Sequence, residues 1–177
     1  MKKILILGLM ILFSVGAYSQ YKHEIKYNFL NTIVMGSAEI GYEYFLDQDQ
    51  SLGLDVLIND RFSYFPENGS SHKKFNTNSV MLSYNLYLST MRNGSGYFLT
   101  PFVKYRFGDF EEQKENFVVE TDMNSFILGL GTGYKWNFKD KLAVGPFVNV
   151  GRNFSKEVNE RFNAVEVNAG ISLGYRF

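Results

Sequence analysis

The side chains able to do chemistry in this 177-residue chain are few. Histidine occurs only at His23 and His72, and cysteine is absent, which excludes thiolate chemistry, thiolate metal sites and disulfides. His72 falls in Gly69-Ser70-Ser71-His72, a loop composition that suits solvation and not the fixed orientation of a nucleophile–base triad. No histidine pair stands at ligand spacing and no glycine loop leads into a helix, so metal, nucleotide and other cofactor sites have no support. The acidic stretch Asp109, Glu111, Glu112, Glu115, Glu120 and Asp122 has donors for a divalent cation. Lys114 interrupts it and its spacing fits no cation loop, so it reads as solvated. What remains is a set of charges nearly balanced in sign: Glu24, Lys26, Glu39, Glu43, Asp55, Arg61, Lys104, Arg106, Lys135, Glu166 and Arg176. Their chemistry is ion pairing, which counts only where the groups are buried.

The elements that would bury them are strands. Read at period two, the chain divides into eight segments, 24–33, 37–46, 51–61, 78–89, 97–107, 124–138, 142–151 and 164–177, each long enough to cross a bilayer as a tilted strand. Each carries one apolar face and one face of Gly, Ser, Asn and charged residues. The last is the most regular: Val165, Val167, Ala169, Ile171, Leu173, Tyr175 and Phe177 oppose Glu166, Asn168, Gly170, Ser172, Gly174 and Arg176. The fold class expected is all-β, an eight-stranded antiparallel up-and-down transmembrane β-barrel, since only helices and closed sheets satisfy every backbone group in lipid.

The amino-terminal segment reads differently. Lys2 and Lys3 precede an apolar run from Ile4 to Val15, and Ala17 and Ser19 supply small residues at cleavage positions. That is a secretory signal peptide over 1–19, cleaved after Ser19, with the barrel domain over 20–177. The run is too short for a spanning helix, and no cysteine follows it to carry a lipid anchor. With 18 basic and 18 acidic residues and no Lys/Arg cluster, nucleic acid is not an expected partner.

Alternation does not say which face points outward, and an exported lipocalin-like barrel would place the apolar face inside. Gly41, Gly53, Gly129, Gly131, Gly133, Gly145, Gly170 and Gly174 crowd the polar face, which fits a narrow interior. Aromatics near strand ends on the apolar face, among them Tyr44, Tyr97, Phe107, Trp136, Phe138 and Tyr175, fit girdles at two bilayer interfaces. The polar face therefore points in. Connections 47–50, 90–96 and 139–141 are short, whereas 62–77, 108–123 and 152–163 are long, which puts the short set in the periplasm and the long set outside. The first outer connection, 34–36, is short and departs from that pattern.

Strand direction then sorts the inward charges into two ion-pair clusters, Glu24, Lys26, Glu43 and Arg176 at the periplasmic end and Glu39, Arg61, Arg106 and Glu166 at the outer end, with Arg176 bridging to the first strand across the closure. Phe45, Leu57, Met81, Tyr87, Phe98, Phe102 and Phe147 also fall inward and would plug the lumen.

These residues resemble the small outer-membrane barrels of the outer-membrane-protein-A-like superfamily. The likeness is carried by the signal peptide, the eight strands, the core Ile40-Gly41-Tyr42-Glu43-Tyr44 and the closing Leu173-Gly174-Tyr175-Arg176-Phe177. It implies a Gram-negative outer-membrane location, contact with outer-membrane lipid, and insertion by the barrel-assembly machinery reading Leu173, Tyr175 and Phe177. Longer members carry a peptidoglycan-binding domain, which this sequence does not show after the barrel. Some eight-stranded barrels are lipid A acylases or deacylases, but their His and Ser chemistry finds no match here, and no enzyme activity is expected. The function expected is a structural or surface-interaction barrel meeting an extracellular partner through its loops; the alternative is a narrow pore or small hydrophobic-solute conduit.

Overall fold

The structure is a computed structural model describing residues 22–61, 73–88, 94–114 and 117–177. The expected signal peptide, its cleavage site, His72 and Glu115 lie outside those residues. Among the described residues the elements follow in the order β1 (His23–Asn28), α1 (Phe29–Met35), β2 (Ala38–Phe45), β3 (Gln50–Ile58), β4 (Lys73–Tyr87), β5 (Gly96–Lys114), β6 (Phe117–Asp122), β7 (Ser125–Phe138), β8 (Leu142–Asn153), α2 (Lys156–Arg161) and β9 (Val165–Arg176). Every pairing is antiparallel. The β4–β5 and β1–β9 pairs close the ring, and β6 pairs with residues 109–114 of β5 alone, so the barrel has eight strands.

The period-two pattern becomes burial of opposite parity. Along β3 the residues Ser51, Gly53, Asp55 and Leu57 are buried, whereas Leu52, Leu54, Val56 and Ile58 are exposed. The same inversion holds round the ring, with Ile25, Tyr42, Leu82, Val103, Leu128, Val150 and Leu173 exposed and Glu24, Glu43, Met81, Lys104, Ile127, Asn149 and Gly174 buried. A lipocalin-like arrangement would be the reverse. Phe45, Leu57, Met81, Tyr87 and Phe102 are buried inside, with Phe98 and Phe147 half-buried beside them.

Interior room is scarce. A Cβ on Gly41 would lie 2.0 Å from Asp55 Oδ1 and 2.8 Å from Lys26 Cε, so an ion pair occupies the space a side chain would need. At Gly145 the obstacle is the Tyr134 carbonyl oxygen, 1.8 Å from where a Cβ would stand. Gly145 falls where the β7–β8 register skips Tyr134 and Lys135 opposite Gly145 and Pro146. The β4–β5 register skips likewise at Tyr84 and Asn85 opposite Thr100 and Pro101. Each proline lacks the donor that a continuous ladder requires, so the ladder breaks beside it.

The first strand is shorter than its alternation implies. The expected segment 24–33 ends as strand at Asn28 and continues as α1, which also takes up most of the expected short connection 34–36. Asn28 Oδ1 accepts the Asn31 amide hydrogen as an N-cap, and Gly36 closes the helix at φ 64°. The apolar residues Phe29, Leu30, Ile33 and Val34 follow helical spacing, and Asn31, which interrupts the strand face, instead caps the lumen. The end opposite His23 and Phe177 thus carries structure at this connection too.

Two further connections at the same end are organised. Within the expected loop 108–123, residues 108–114 extend β5 and 117–122 pair with it as β6, and 152–163 contains α2. Phe75, Phe110, Met123 and Val158 bury one another above the barrel, with the Phe75 and Phe110 ring centroids 4.6 Å apart and Phe162 edge-on to Phe110 at 5.3 Å. This small core joins the ends of β4 and β5 to α2.

Candidate functional site

The interior charges form two layers separated along the barrel axis. At the end that holds His23 and Phe177, Glu24 on β1 accepts from Arg176 Nε at 2.7 Å across the ring closure and from Lys135 Nζ of β7 at 3.0 Å. Lys135 Nζ also donates to Glu43 at 2.8 Å, and Lys26 Nζ pairs with Asp55 at 3.1 Å and approaches Glu43 at 3.9 Å. Glu43 further accepts from the Ser51 and Tyr87 hydroxyls at 2.6 and 2.5 Å. Phe45 packs between the cations, its ring centroid 4.5 Å from the Arg176 guanidinium carbon and 5.6 Å from Lys135 Nζ. The layer is neutral: three cations face three carboxylates.

The second layer lies towards the other end. Arg106, wholly buried on β5, makes a two-pronged pair with Glu166 of β9, both bonds 2.7 Å, and reaches Asp60 at 3.1 Å through Nε and Nη2. Lys104 Nζ lies 3.0 Å from Asp60 and 3.1 Å from Glu166. Ser79 Oγ donates to Asp60 at 2.5 Å and Asn153 Nδ2 to Glu166 at 3.2 Å. Asp60 stands just beyond the end of β3. Lys104 and Arg106 both face its carboxylate.

Of the eight residues expected in the clusters, Glu24, Lys26, Glu43 and Arg176 meet in the first layer and Arg106 and Glu166 in the second. Glu39 and Arg61 join neither by an ion pair among the described residues. Glu39 Oε2 accepts instead from the amides of Asn28, Asn31 and Asn168 at 2.9, 3.2 and 3.3 Å. Arg61 is half-buried, and its Nε has no hydrogen-bond partner among the described residues. The place assigned to Arg61 is taken by Asp60, for a local reason. Asn59 adopts φ 57°, which breaks the strand alternation and turns the next residue inward. Lys104 and Lys135, inward by parity, could not be assigned partners without the register.

Between the layers lies a cavity of about 60 Å³ lined by apolar groups, among them Met81, Phe98 and Phe147, and by polar ones, among them Ser83, Asn85 and Asn149. That is room for a few water molecules, roughly 10–15 Å³ each by this measure. A smaller space of about 10 Å³ sits beside Lys104 and Glu166. Leu57, Met81, Phe102 and Ile127 form a buried apolar cluster, and Met81 lines both spaces. Among the described residues no group of three or more His, Asp or Glu side chains is arranged to hold a metal ion. His23 sits at the rim, its ring stacked on Phe177 at 5.6 Å and bonded to the Tyr42 hydroxyl at 2.5 Å.

The expected insertion residues Leu173, Tyr175 and Phe177 are all exposed on the outer face. The Phe177 amide donates to the His23 carbonyl at 2.9 Å, so the last residue continues the closure with β1.

No family model matches the sequence, and no curated protein matches it. Solved structures do. The N-terminal β-barrel domain of Pseudomonas aeruginosa OprF superposes with a TM-score of 0.54 at 16% identity, covering 90% of this chain and 100% of that one. Neisserial surface protein A, NspA, superposes at 0.53 with 11% identity, covering 88% of this chain and 94% of that one. At such identities the likeness is one of fold: the chain has the closed eight-stranded antiparallel barrel of small outer-membrane proteins.

Proposed function

We propose that this chain is an integral outer-membrane barrel of a Gram-negative bacterium with a structural or surface-interaction role, its lumen plugged by side chains and its long connections extracellular. The observation that carries this reading is the inversion of burial: apolar side chains exposed round the ring, and charges paired within it. In water such an exterior would be an aggregation surface, whereas in lipid it is the solvated face. The packed core of Phe75, Phe110, Met123 and Val158 supports a loop end that presents a defined surface to an outside partner. Insertion by the assembly machinery through Leu173, Tyr175 and Phe177, export with cleavage after Ser19, and the absence of catalysis belong to the same proposal.

The cavity between the layers favours one second reading, a narrow pore or small hydrophobic-solute conduit. Planar-bilayer recording separates the two. The plugged barrel gives no stable unitary conductance, and a long-lived open channel at neutral pH would reverse the preference.

A further inference from the structure

α1 is unusual for a helix at the loop end of a barrel, because it contains no charged residue and shows apolar side chains to the outside. Ile33 is 77% exposed and Val34 60%, more than the 37 to 50% of their neighbours Ile25, Tyr27, Ile40 and Ile58 on the strand exterior. Successive helical residues turn by about 100°, so with Asn31 fixed towards the lumen by its bonds to Glu39 and Asn168, Phe29 and Ile33 fall opposite it and Leu30 and Val34 on one flank, Phe29 and Leu30 half-buried and Ile33 and Val34 exposed. The Tyr27 hydroxyl is 2.7 Å from Thr32 Oγ1, which ties the outward face of β1 to the helix that follows it. The apolar exterior of β1 and β2 therefore runs without interruption onto α1.

We infer that α1 is an interfacial lipid-binding element: its face of Phe29, Leu30, Ile33 and Val34 takes the acyl chains of the leaflet at the loop end, prolonging the strand belt on the β1–β2 side. Three features fit this occupant. The face is continuous with the belt, the helix has no charge to be desolvated, and its Gly36 cap leaves the backbone turning back into β2 immediately afterwards. A solvated loop helix would carry charges on its exposed side, as α2 does with Lys156, Glu157 and Glu160.

The inference rests on the proposed membrane insertion, so its test must separate the two. Trp136 is the single tryptophan, and Trp136→Phe gives a silent background. In that background Ile33→Trp, Leu130→Trp and Glu157→Trp place one fluorophore on α1, on the belt and on α2, all at exposed positions that tolerate the change. The full-length proteins are folded into phosphatidylcholine vesicles whose acyl chains are brominated either near the headgroup or near the chain end. The expected result is a blue-shifted Ile33→Trp emission quenched most by bromine near the headgroup, Leu130→Trp quenched most by deeper bromine, and Glu157→Trp unquenched. Ile33→Trp emission as insensitive as that of Glu157→Trp, with Leu130→Trp quenched, overturns the role of α1 alone and points to a protein partner or solvent on that face. Loss of quenching at Leu130→Trp as well overturns the membrane reading beneath it.

Discussion

At the scale of single residues the barrel interior is organised by buried charges that share partners with one another. Arg176 is held by Glu24, by the Phe45 ring and by the Gly94 carbonyl at 2.7 Å. Arg176→Met removes the cation but leaves Glu24 buried with Lys135 alone, a change of the class that costs about 3 to 5 kcal/mol when one partner of a buried pair is lost. The folded band on unheated gels should convert to the unfolded position at a lower temperature. An unchanged conversion temperature would mean that the first layer contributes nothing to stability. Asp60 anchors the second layer in the same way. Asp60→Asn removes the carboxylate that Lys104 and Arg106 share with Glu166, and the conversion temperature should fall; an unchanged value would mean that this layer adds nothing to stability. That Asp60 matters at all was not readable from alternation. Arg61 occupied the inward place on parity, and only a left-handed Asn59, a conformation asparagine tolerates, displaces it.

At the scale of elements, face assignment was legible because a single-residue slip would send every side chain of a strand to the wrong solvent. Register was not, since it depends on where bulges and prolines interrupt the ladders, as at Pro101 and Pro146. The faces can be tested on β9. Val167→Arg should cost about 2 to 4 kcal/mol near the midplane of a bilayer. Asn168→Arg should cost less, because Asn168 already touches Glu39, a carboxylate held by amides with no ion pair among the described residues, and a guanidinium there gains a partner. Denaturant unfolding in lipid that found equal penalties would reverse the inside and the outside. Helix α1 escaped the period-two reading because Ile25, Tyr27, Phe29 and Ile33 satisfy alternation even as Phe29, Leu30, Ile33 and Val34 satisfy helical spacing. Asn28 and Gly36, the two caps, decide between them.

At the scale of the whole molecule the loop end behaves as a second, smaller body resting on the barrel. Its core of four buried side chains draws on β4, β5, the turn after β6 and α2, so loosening it should leave the ring intact. Val158→Ala removes two methyl carbons from a fully buried position, which should cost about 1 to 2 kcal/mol locally. Added protease should then cut 108–123 and 152–163 faster, with no change in the heat conversion of the barrel. A lowered conversion temperature would show the two bodies to be one cooperative unit. The ring itself imposes a constraint of another kind. Glu24 and Arg176 lie 152 positions apart along the chain, and until they meet, β1 and β9 each present an open row of unpaired amides and carbonyls. Closure of this ring depends on contacts between strands far apart in the sequence, which makes folding slow and leaves every shorter intermediate adhesive. In the proposed membrane role, the rate at which that seam zips, more than the depth of the folded minimum, sets how long the chain needs shielding before insertion.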